Sequence, residues 1–326
     1  MKATPHRSTC IAFLIALLIG VGVPGGPAAA QGYPSRPIEI VNSFAPGGTS
    51  DLNIRAMQAT ALKVLGQPLV QTFRQGGGGI VGTTEIARSA PDGYKLLVVT
   101  SGELTAGPNL TKTPYSIDSF AFIGRVSSRA YGFVVRSDAR WKSFEEFRNE
   151  AAKQPDGLTI GTTPRGGVFL TAQHFIRQGD MKLIPVPYGG SGPYLTAVLG
   201  GHVDAAWAPL TSADSYIRAG QMRVLAVTGP ERDKAYPSVP TFKEFGVDSP
   251  FMLWVGVVAP KDLPADRLAF LRESLARIVK EPAFLRDAEK VGVEVAYAPA
   301  DEFEKQVREE DQAFRLLAKD LGLAPQ

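Results

Sequence analysis

Cysteine and histidine are scarce in this chain, whose 326 residues include one Cys and three His. A single cysteine cannot form an intramolecular disulfide or a zinc site built from several thiolates. An excess of one charge is also missing, because 35 Lys and Arg residues stand against 32 Asp and Glu, a formal net charge of +3. Nucleic-acid binding normally needs a strongly basic surface, since phosphate contacts dominate its affinity. We therefore expect neither a disulfide scaffold nor a nucleic-acid partner.

Long hydrophobic runs are missing too, except at the N-terminus. Lys2 and Arg7 precede the apolar stretch 11–20, and small residues ending at Ala30 follow it. The stretch is shorter than the roughly 20 residues that span a bilayer. This pattern is typical of a secretory signal peptide, so residues 1–30 are predicted to be removed by cleavage near Ala30. The single cysteine lies within residues 1–30, so the mature chain is predicted to contain no cysteine and to be nearly neutral.

The remaining composition is that of a globular protein, with 44% hydrophobic and 21% charged residues. Strands are predicted at 38–44, 69–73 and 95–100, with amphipathic helices between them. Such a βαβαβ order favours a parallel sheet with right-handed crossovers. The alternation of strands and helices restarts near residue 131, and a buried strand at 253–259 precedes three closing helices. The sequence therefore predicts an α/β protein with two similar units.

These two units are predicted to be two domains. We place the first domain at residues 31–131 and 253–326, which makes it discontinuous, and the second at 132–252. Each domain is expected to hold a mainly parallel sheet flanked by helices. A hinge of crossing strands is expected to join them, which would permit closure around a ligand.

Small residues and hydroxyls follow several predicted strands. In open parallel sheets, ligands bind at the carboxyl ends of the strands, where a helix N-terminus offers free N–H groups to an anion. Three loops suit an anion in this way, at 46–51, 100–104 and 161–167, and Ser50 or Asp51 is predicted to cap the helix after the first. The alternative is a set of simple turns with capped helices.

Sequence motifs that are typical of enzymes are few in this chain. The glycine run 77–82 satisfies the dinucleotide pattern G-x-G-x-x-G, but it follows the second strand and not the first. We interpret it as a packing feature between a helix and its neighbours. His174 and His202 are the histidines left after cleavage, and neither has a neighbour at metal-ligand spacing. We therefore predict no catalytic residue, no metal site and no cofactor.

Eight different short motifs follow one another along essentially the whole mature chain. They are YPSRPI at 33–38, FAPGGTSD at 44–51, the glycine run 76–82, APDGY at 90–94, VPYGGSGP at 186–193, LGGHVD at 199–204, LAVT at 225–228 and PSVPT at 237–241. Through these motifs the chain resembles the extracytoplasmic solute-binding proteins of tripartite tricarboxylate transporters, the TctC or Bordetella uptake gene (Bug) family.

The resemblance implies a two-lobed periplasmic binding protein, type II-like in fold. Such a protein would close on a small carboxylate, either a di- or tricarboxylate or an aromatic carboxylate, and deliver it to membrane permease subunits. We expect a monomer that is not an enzyme. Two alternatives stay open, a periplasmic sensor that presents its ligand to a membrane receptor and a hydrolase or lyase on the same scaffold.

The family's ligand-binding loops map onto both predicted lobes. By position they give Gly47, Gly48, Thr49, Asp51, Ser101 and Gly102 on the first lobe, and Thr162, Thr163, Gly166 and Gly167 on the second. Departures from the family pattern add Arg165, which could pair with a carboxylate or be an exposed loop arginine. They also add Glu103, which could meet a ligand group or pair with Arg165, and Trp207, which could line the cleft or the core. An acidic residue that many relatives carry near Trp207 is absent, which argues against an amino-acid ligand.

Overall fold

The structure is a computed structural model that describes residues 32–153 and 157–325. The predicted signal peptide lies outside the described residues. The described helices and strands lie in one compact unit, Pro34–Gln326. Of the helices described, none is both long enough and apolar enough to cross a bilayer.

A ten-stranded mixed sheet runs through this unit. Its strands are β1 (Ile38–Asn42), β2 (Leu69–Phe73), β3 (Lys95–Thr100), β4 (Phe120–Arg136), β5 (Leu158–Thr162), β6 (Leu183–Pro187), β7 (Ala205–Pro209), β8 (Met222–Val227), β9 (Met252–Pro260) and β10 (Val295–Pro299). The spatial order is β2-β1-β3-β9-β4-β7-β5-β6, with β8 and β10 also paired to β4. The predicted α/β class with crossing strands is confirmed.

Helices cover the faces of the sheet. They are α1 (Thr49–Leu65), α2 (Ile80–Ala87), α3 (Gly107–Leu110), α4 (Phe144–Lys153), α5 (Gly167–Gln178), α6 (Ser191–Leu199), α7 (Leu210–Arg218), α8 (Ala265–Ile278), α9 (Pro282–Lys290) and α10 (Ala300–Asp320). A π-helical turn, Gly102–Ala106, leads into α3. Their burial follows helical spacing, as in α8, where Leu271, Leu275 and Ile278 are buried on one face.

Strand β4 connects the two parts of the sheet. It pairs antiparallel with β9 as far as Ala130 and with β7 from Tyr131 onward. We call the part with β1–β3, β9 and β10 the first half, and the part with β5–β8 the second half. The pairing changes near the predicted domain boundaries, although the division into two domains stays a prediction.

The strand predicted to begin near residue 131 in fact begins at Phe120. Its pairing with β9 shifts register between Phe122 and Gly124 and again between Arg125 and Ser127. Such irregularities break the period-two alternation by which a strand is recognised in a sequence. The early part of β4 was therefore missed, as was β10, which pairs with it.

Parallel pairing brings the helix N-termini together. In the first half β1 is parallel to β2 and β3, and in the second half β5 is parallel to β6 and β7. The carboxyl ends of parallel strands lie at one edge of a sheet. Consequently α1 begins at that edge of the first half, and α5, α6 and α7 begin at the corresponding edge of the second.

A buried ionic network lies where the halves meet. Arg129 of β4 donates from Nη1 to Asp214 Oδ1 at 2.9 Å and from Nε to Asp233 Oδ2 at 3.1 Å. Its Nη1 also donates to the carbonyl oxygen of Gly292 at 2.7 Å. These three charged side chains are at most 5% exposed. The guanidinium thus joins the crossing strand to α7, to the segment after β8 and to the turn after α9.

We expect Arg129→Met to lower the free energy of unfolding by about 3 to 5 kcal/mol, because it leaves the buried Asp233 without its cation and leaves Asp214 with Arg218 alone. Chemical denaturation would measure the loss. The control is Arg136→Met on the same strand, whose partner Asp138 is 67% exposed. That change should cost about 1 kcal/mol or less, and equal losses in the two variants would contradict this view of the network.

Candidate functional site

A pocket lies between the two halves where these helices begin. It has an empty volume of about 450 Å³, part of it open to solvent. The predicted residues that line it are Gly48, Thr49, Gly102, Thr163, Arg165, Gly166 and Gly167. The predicted residues that do not line it are Gly47, Asp51, Ser101, Glu103, Thr162 and Trp207.

The N-terminus of each of four helices contributes to the lining. The residues preceding the helices are Gly48 for α1, Gly166 for α5, Gly190 for α6 and Pro209 for α7. Glycine and proline have no side-chain acceptor, so none of these residues caps its helix. The first N–H groups of a helix have no partner within the helix. Together with the positive ends of the helix dipoles, they create a setting suited to an anion.

Asp51 neither caps α1 nor faces the pocket. Its fully buried carboxylate accepts hydrogen bonds from Gly47 N at 2.8 Å, Arg55 Nε at 2.9 Å and Gln71 Nε2 at 3.0 Å. Gly47 has a φ of +78°, in the left-handed region that favours glycine. The predicted cap was therefore wrong, since Asp51 instead holds the loop that leads to Gly48.

A chain of three hydroxyls crosses from one half to the other. Ser212 Oγ on α7 lies 2.7 Å from Thr49 Oγ1 on α1 and 2.8 Å from Ser191 Oγ on α6. Three hydroxyls carry three protons, and two hydrogen bonds use two of them. In whichever direction the bonds run, one proton stays available for a further acceptor. Thr49 and Ser191 both line the pocket.

Glycines allow the halves to approach closely beside this chain. A Cβ on Gly192 would lie 2.5 Å from the carbonyl oxygen of Pro46, and one on Gly48 would lie 3.2 Å from Ser191 Oγ. No larger residue fits at Gly192 without a shift of the backbone. The described structure is therefore one in which the two halves are in contact around the pocket.

Ser50 offers a further donor. Its side chain lines the pocket and is 2% exposed, and its Oγ has no hydrogen-bond partner among the described residues. A buried hydroxyl without a partner is costly unless a ligand or water completes it. Thr162 Oγ1, at the end of β5, is likewise buried without a partner in the part of the chain that is described.

Arg165 lines the pocket from the loop before α5. Its Nη1 donates to the carbonyl oxygen of Leu110 at 2.8 Å, and its own carbonyl accepts from Thr163 Oγ1 at 3.1 Å. Within the described residues it has no ion pair with Glu103. One end of the guanidinium is thus fixed, which leaves its other donors for a ligand.

Glu103 is buried behind the pocket, at the start of the π-helical turn. Its Oε2 accepts hydrogen bonds from Thr100 Oγ1 and from Thr100 N, the latter at 2.9 Å. Burial raises the pKa of Glu103 to about 8. A Cβ on Gly79 would lie 2.6 Å from Glu103 Cγ, so the glycine run packs against this carboxyl. Within the described residues Glu103 has no ion pair with Arg165 and does not line the pocket, and its contact with a ligand group stays a prediction.

Trp207 and Ser101 are also outside the lining of the pocket. Trp207 is fully buried in the core of the second half, 4.6 Å from the Phe175 ring between centroids. Its Nε1 donates to Thr171 Oγ1 at 3.0 Å. Ser101 lies beside the hydroxyl of Tyr131. Trp207 is therefore a core residue, and no aromatic stacking on a ligand is expected from it.

Eight residues that line the pocket were not among the predicted site residues. They are Phe44, Ser50, Thr100, Val168, Gly190, Ser191, Pro209 and Leu253. A signal existed for two of them, because residues 189–191 form another run of small residues after a strand, as in the three loops considered. In the described chain, no group of three or more His, Cys, Asp or Glu residues is placed to hold a metal ion.

Comparisons with known proteins agree on one family. The family described as "Tripartite tricarboxylate transporter family receptor" (TctC) matches residues 53–323. A UPF0065 protein of Agrobacterium vitis is 32% identical over 86% of this chain and 82% of its own length. The solved periplasmic binding protein BugD is 28% identical, with a TM-score of 0.85, over 90% of this chain and all of that chain.

A third relative has a ligand in its structure. MatC from Rhodopseudomonas palustris, solved with bound malate, is 25% identical with a TM-score of 0.82, over 87% of this chain and 99% of that one. These similarities confirm the periplasmic-binding-protein fold that the sequence motifs implied.

Replacing Glu103 by Gln should make stability less dependent on pH. The folded protein holds a proton on Glu103 more tightly than the unfolded chain, whose carboxyl titrates near 4.5. Stability due to this group is therefore fully present below that pH and is lost as the pH rises towards about 8. Between about pH 4 and about pH 9, wild type should lose on the order of 2 to 4 kcal/mol relative to Glu103→Gln.

Unfolding of both proteins across this pH range would test the expectation. Glu310, whose pKa is raised to about 7 by burial, titrates in both proteins, so their difference isolates Glu103. Parallel stability curves would contradict the buried, protonated state of Glu103.

Proposed function

Because the chain belongs to the tripartite tricarboxylate transporter receptor (TctC) family, we propose that it captures a small carboxylate and delivers it to the membrane subunits of such a transporter. The family consists of periplasmic substrate-binding proteins and not of enzymes. The chain is thus a TctC-family periplasmic binding protein. Its ligand, its membrane partner and its action as a monomer are the parts that we propose.

The observation that supports this proposal is the convergence of four uncapped helix N-termini on one pocket. Gly48 and Gly166 come from different halves of the sheet. A carboxylate between them would accept hydrogen bonds from backbone N–H groups, and hydrogen bonds to an anion are stronger than neutral ones. Arg165 and the hydroxyls of Ser50 and Thr49 add donors to the same space.

Contacts from both halves give a mechanism for capture. Thr49 belongs to the first half, and Ser191 and Ser212 belong to the second. A ligand that contacts both halves only in the closed state shifts the population towards that state. Release to a membrane partner then requires the halves to separate, which breaks the hydroxyl chain. MatC, which is similar to this chain in fold and sequence, was solved with bound malate. A carboxylate ligand for this chain is consistent with the ligand of that relative.

Of the two alternatives, neither the sensor nor the hydrolase is favoured by an observation in the described residues. The hydrogen bonds among the hydroxyls of Thr49, Ser191 and Ser212 include no histidine. A nucleophilic serine normally needs an adjacent base. A binding role is therefore the function that the geometry supports best.

Calorimetry with a panel of carboxylates would test the proposed function. The panel contains linear mono- and dicarboxylates, phenylacetate and citrate, with uncharged amides of the same acids as controls. At least one carboxylate should bind and be recovered unchanged, and its amide should not bind. If the amides bind as well as the acids, or if no carboxylate binds, the proposed function is wrong.

Ser50→Ala should weaken binding of the carboxylate hit about 5- to 10-fold without lowering the stability of the free protein, because Ser50 Oγ has no internal hydrogen bond to lose. Thr60→Val is the matched control on the same helix. Thr60 is also 2% exposed and its hydroxyl also has no partner among the described residues, but it does not line the pocket. Equal affinities of the two variants would exclude Ser50 from the site.

Ser212→Ala should speed ligand dissociation about 10-fold, because it removes the hydrogen bond to Thr49 that links the halves and the bond to Ser191 that continues the hydroxyl chain. Stopped-flow displacement would measure the rate. Ser215→Ala, at an exposed position of the same helix, is the control and should dissociate like wild type. A dissociation rate that Ser212→Ala leaves unchanged would show that the hydroxyl chain does not hold the closed state.

A further inference from the structure

No acidic side chain among the described residues lines the pocket, and Arg165 is the one charged side chain there. The uncharged side chains are of two kinds. Hydroxyls come from Thr49, Ser50, Thr100, Thr163 and Ser191, and apolar side chains come from Phe44, Val168, Pro209 and Leu253. The pocket therefore combines donors for a carboxylate with no anionic side chain that could pair with a ligand cation.

These apolar residues are held in place by the surrounding structure. The Phe44 ring reaches to 3.3 Å from where a Cβ on Gly79 would lie and to 3.6 Å from the same point on Gly102. Leu253 is 6% exposed and belongs to the core of the second half. Val168 packs against the buried clusters on both sides of α5. These packed side chains therefore stay in place as walls of the pocket when a ligand enters.

The acidic side chains Asp51 and Glu103 come from loops that border the pocket, but neither of them lines it. Asp51 accepts three hydrogen bonds from its own loop, helix and strand. Glu103 accepts two from Thr100, and burial favours its neutral form by raising its pKa to about 8. A ligand ammonium would therefore meet no free carboxylate, and it would face the positive ends of the helices. Burying such a charge without a partner is strongly unfavourable.

We infer that the pocket selects carboxylates that carry no cationic group, and that it rejects the 2-amino acids of the same carbon skeleton. This inference rests on the proposed function, since it concerns the ligand of the same site.

Matched pairs of ligands test the inference by calorimetry. Glutarate and L-glutamate share one skeleton and differ in one ammonium group, as do valerate and norvaline, and phenylacetate and phenylglycine. Any acid of these pairs that binds should bind about 100-fold or more tightly than its amino counterpart, because the ammonium loses its water without gaining a partner.

A variant of the wall provides the second readout. Val168→Asp places a carboxylate in the first turn of α5, where an acidic residue is compatible with the helix dipole. It should weaken binding of the acid and reduce the ratio between acid and amino acid by at least about 10-fold. Val168→Asn, which has nearly the same shape without the charge, should keep the wild-type ratio.

The outcomes separate the two claims. An amino acid that binds as tightly as its matched acid overturns the inference and leaves the proposed function intact. The absence of binding by every carboxylate overturns the proposed function and the inference with it. A ratio that changes equally in Val168→Asp and Val168→Asn shows that shape, and not charge, sets the selection.

Discussion

The site depends on backbone N–H groups at helix N-termini, which have no partner within their own helices. Each of the four helices around the pocket is preceded by glycine or proline, so no side chain caps its first turn. Parallel pairing in both halves of the sheet places these helix starts at one edge. Glycines such as Gly192 let the two edges approach, so the helix N-termini border one small volume. In the function proposed here an anion occupies this volume, and the protein's overall charge has little part in its binding.

The acidic residues around the pocket serve the structure instead of the ligand. Asp51 fixes the loop before α1, Glu103 fixes the end of β3, and Asp214 and Asp233 hold Arg129 at the meeting of the halves. Each carboxylate that is used internally is removed from the lining. The same interactions that stabilise the loops therefore leave the pocket with positive partial charges and apolar walls, which links the stability of the fold to the choice of ligand.

Much of this arrangement could be predicted from the sequence. The alternation of strands and helices predicts the sheet, and the loops at 46–51, 100–104 and 161–167 contain residues that line the pocket. The directions of side chains could not be predicted. Every residue of β7 is buried, so period-two alternation gives no face to Trp207. Asp51 turns to its own loop and helix and to β2, and Glu103 turns to Thr100. The role of Ser212 depends on a contact with Thr49, which is 163 positions away.

A crystal structure with the carboxylate hit bound is the most direct test of the central claim. The account predicts a carboxylate oxygen within about 3 Å of a main-chain N at the start of α1 or α5, with the halves in contact as described and the ligand's carbon atoms against Phe44 and Leu253. A carboxylate bound only by the Arg165 side chain, or directed away from the helix N-termini, would contradict the account.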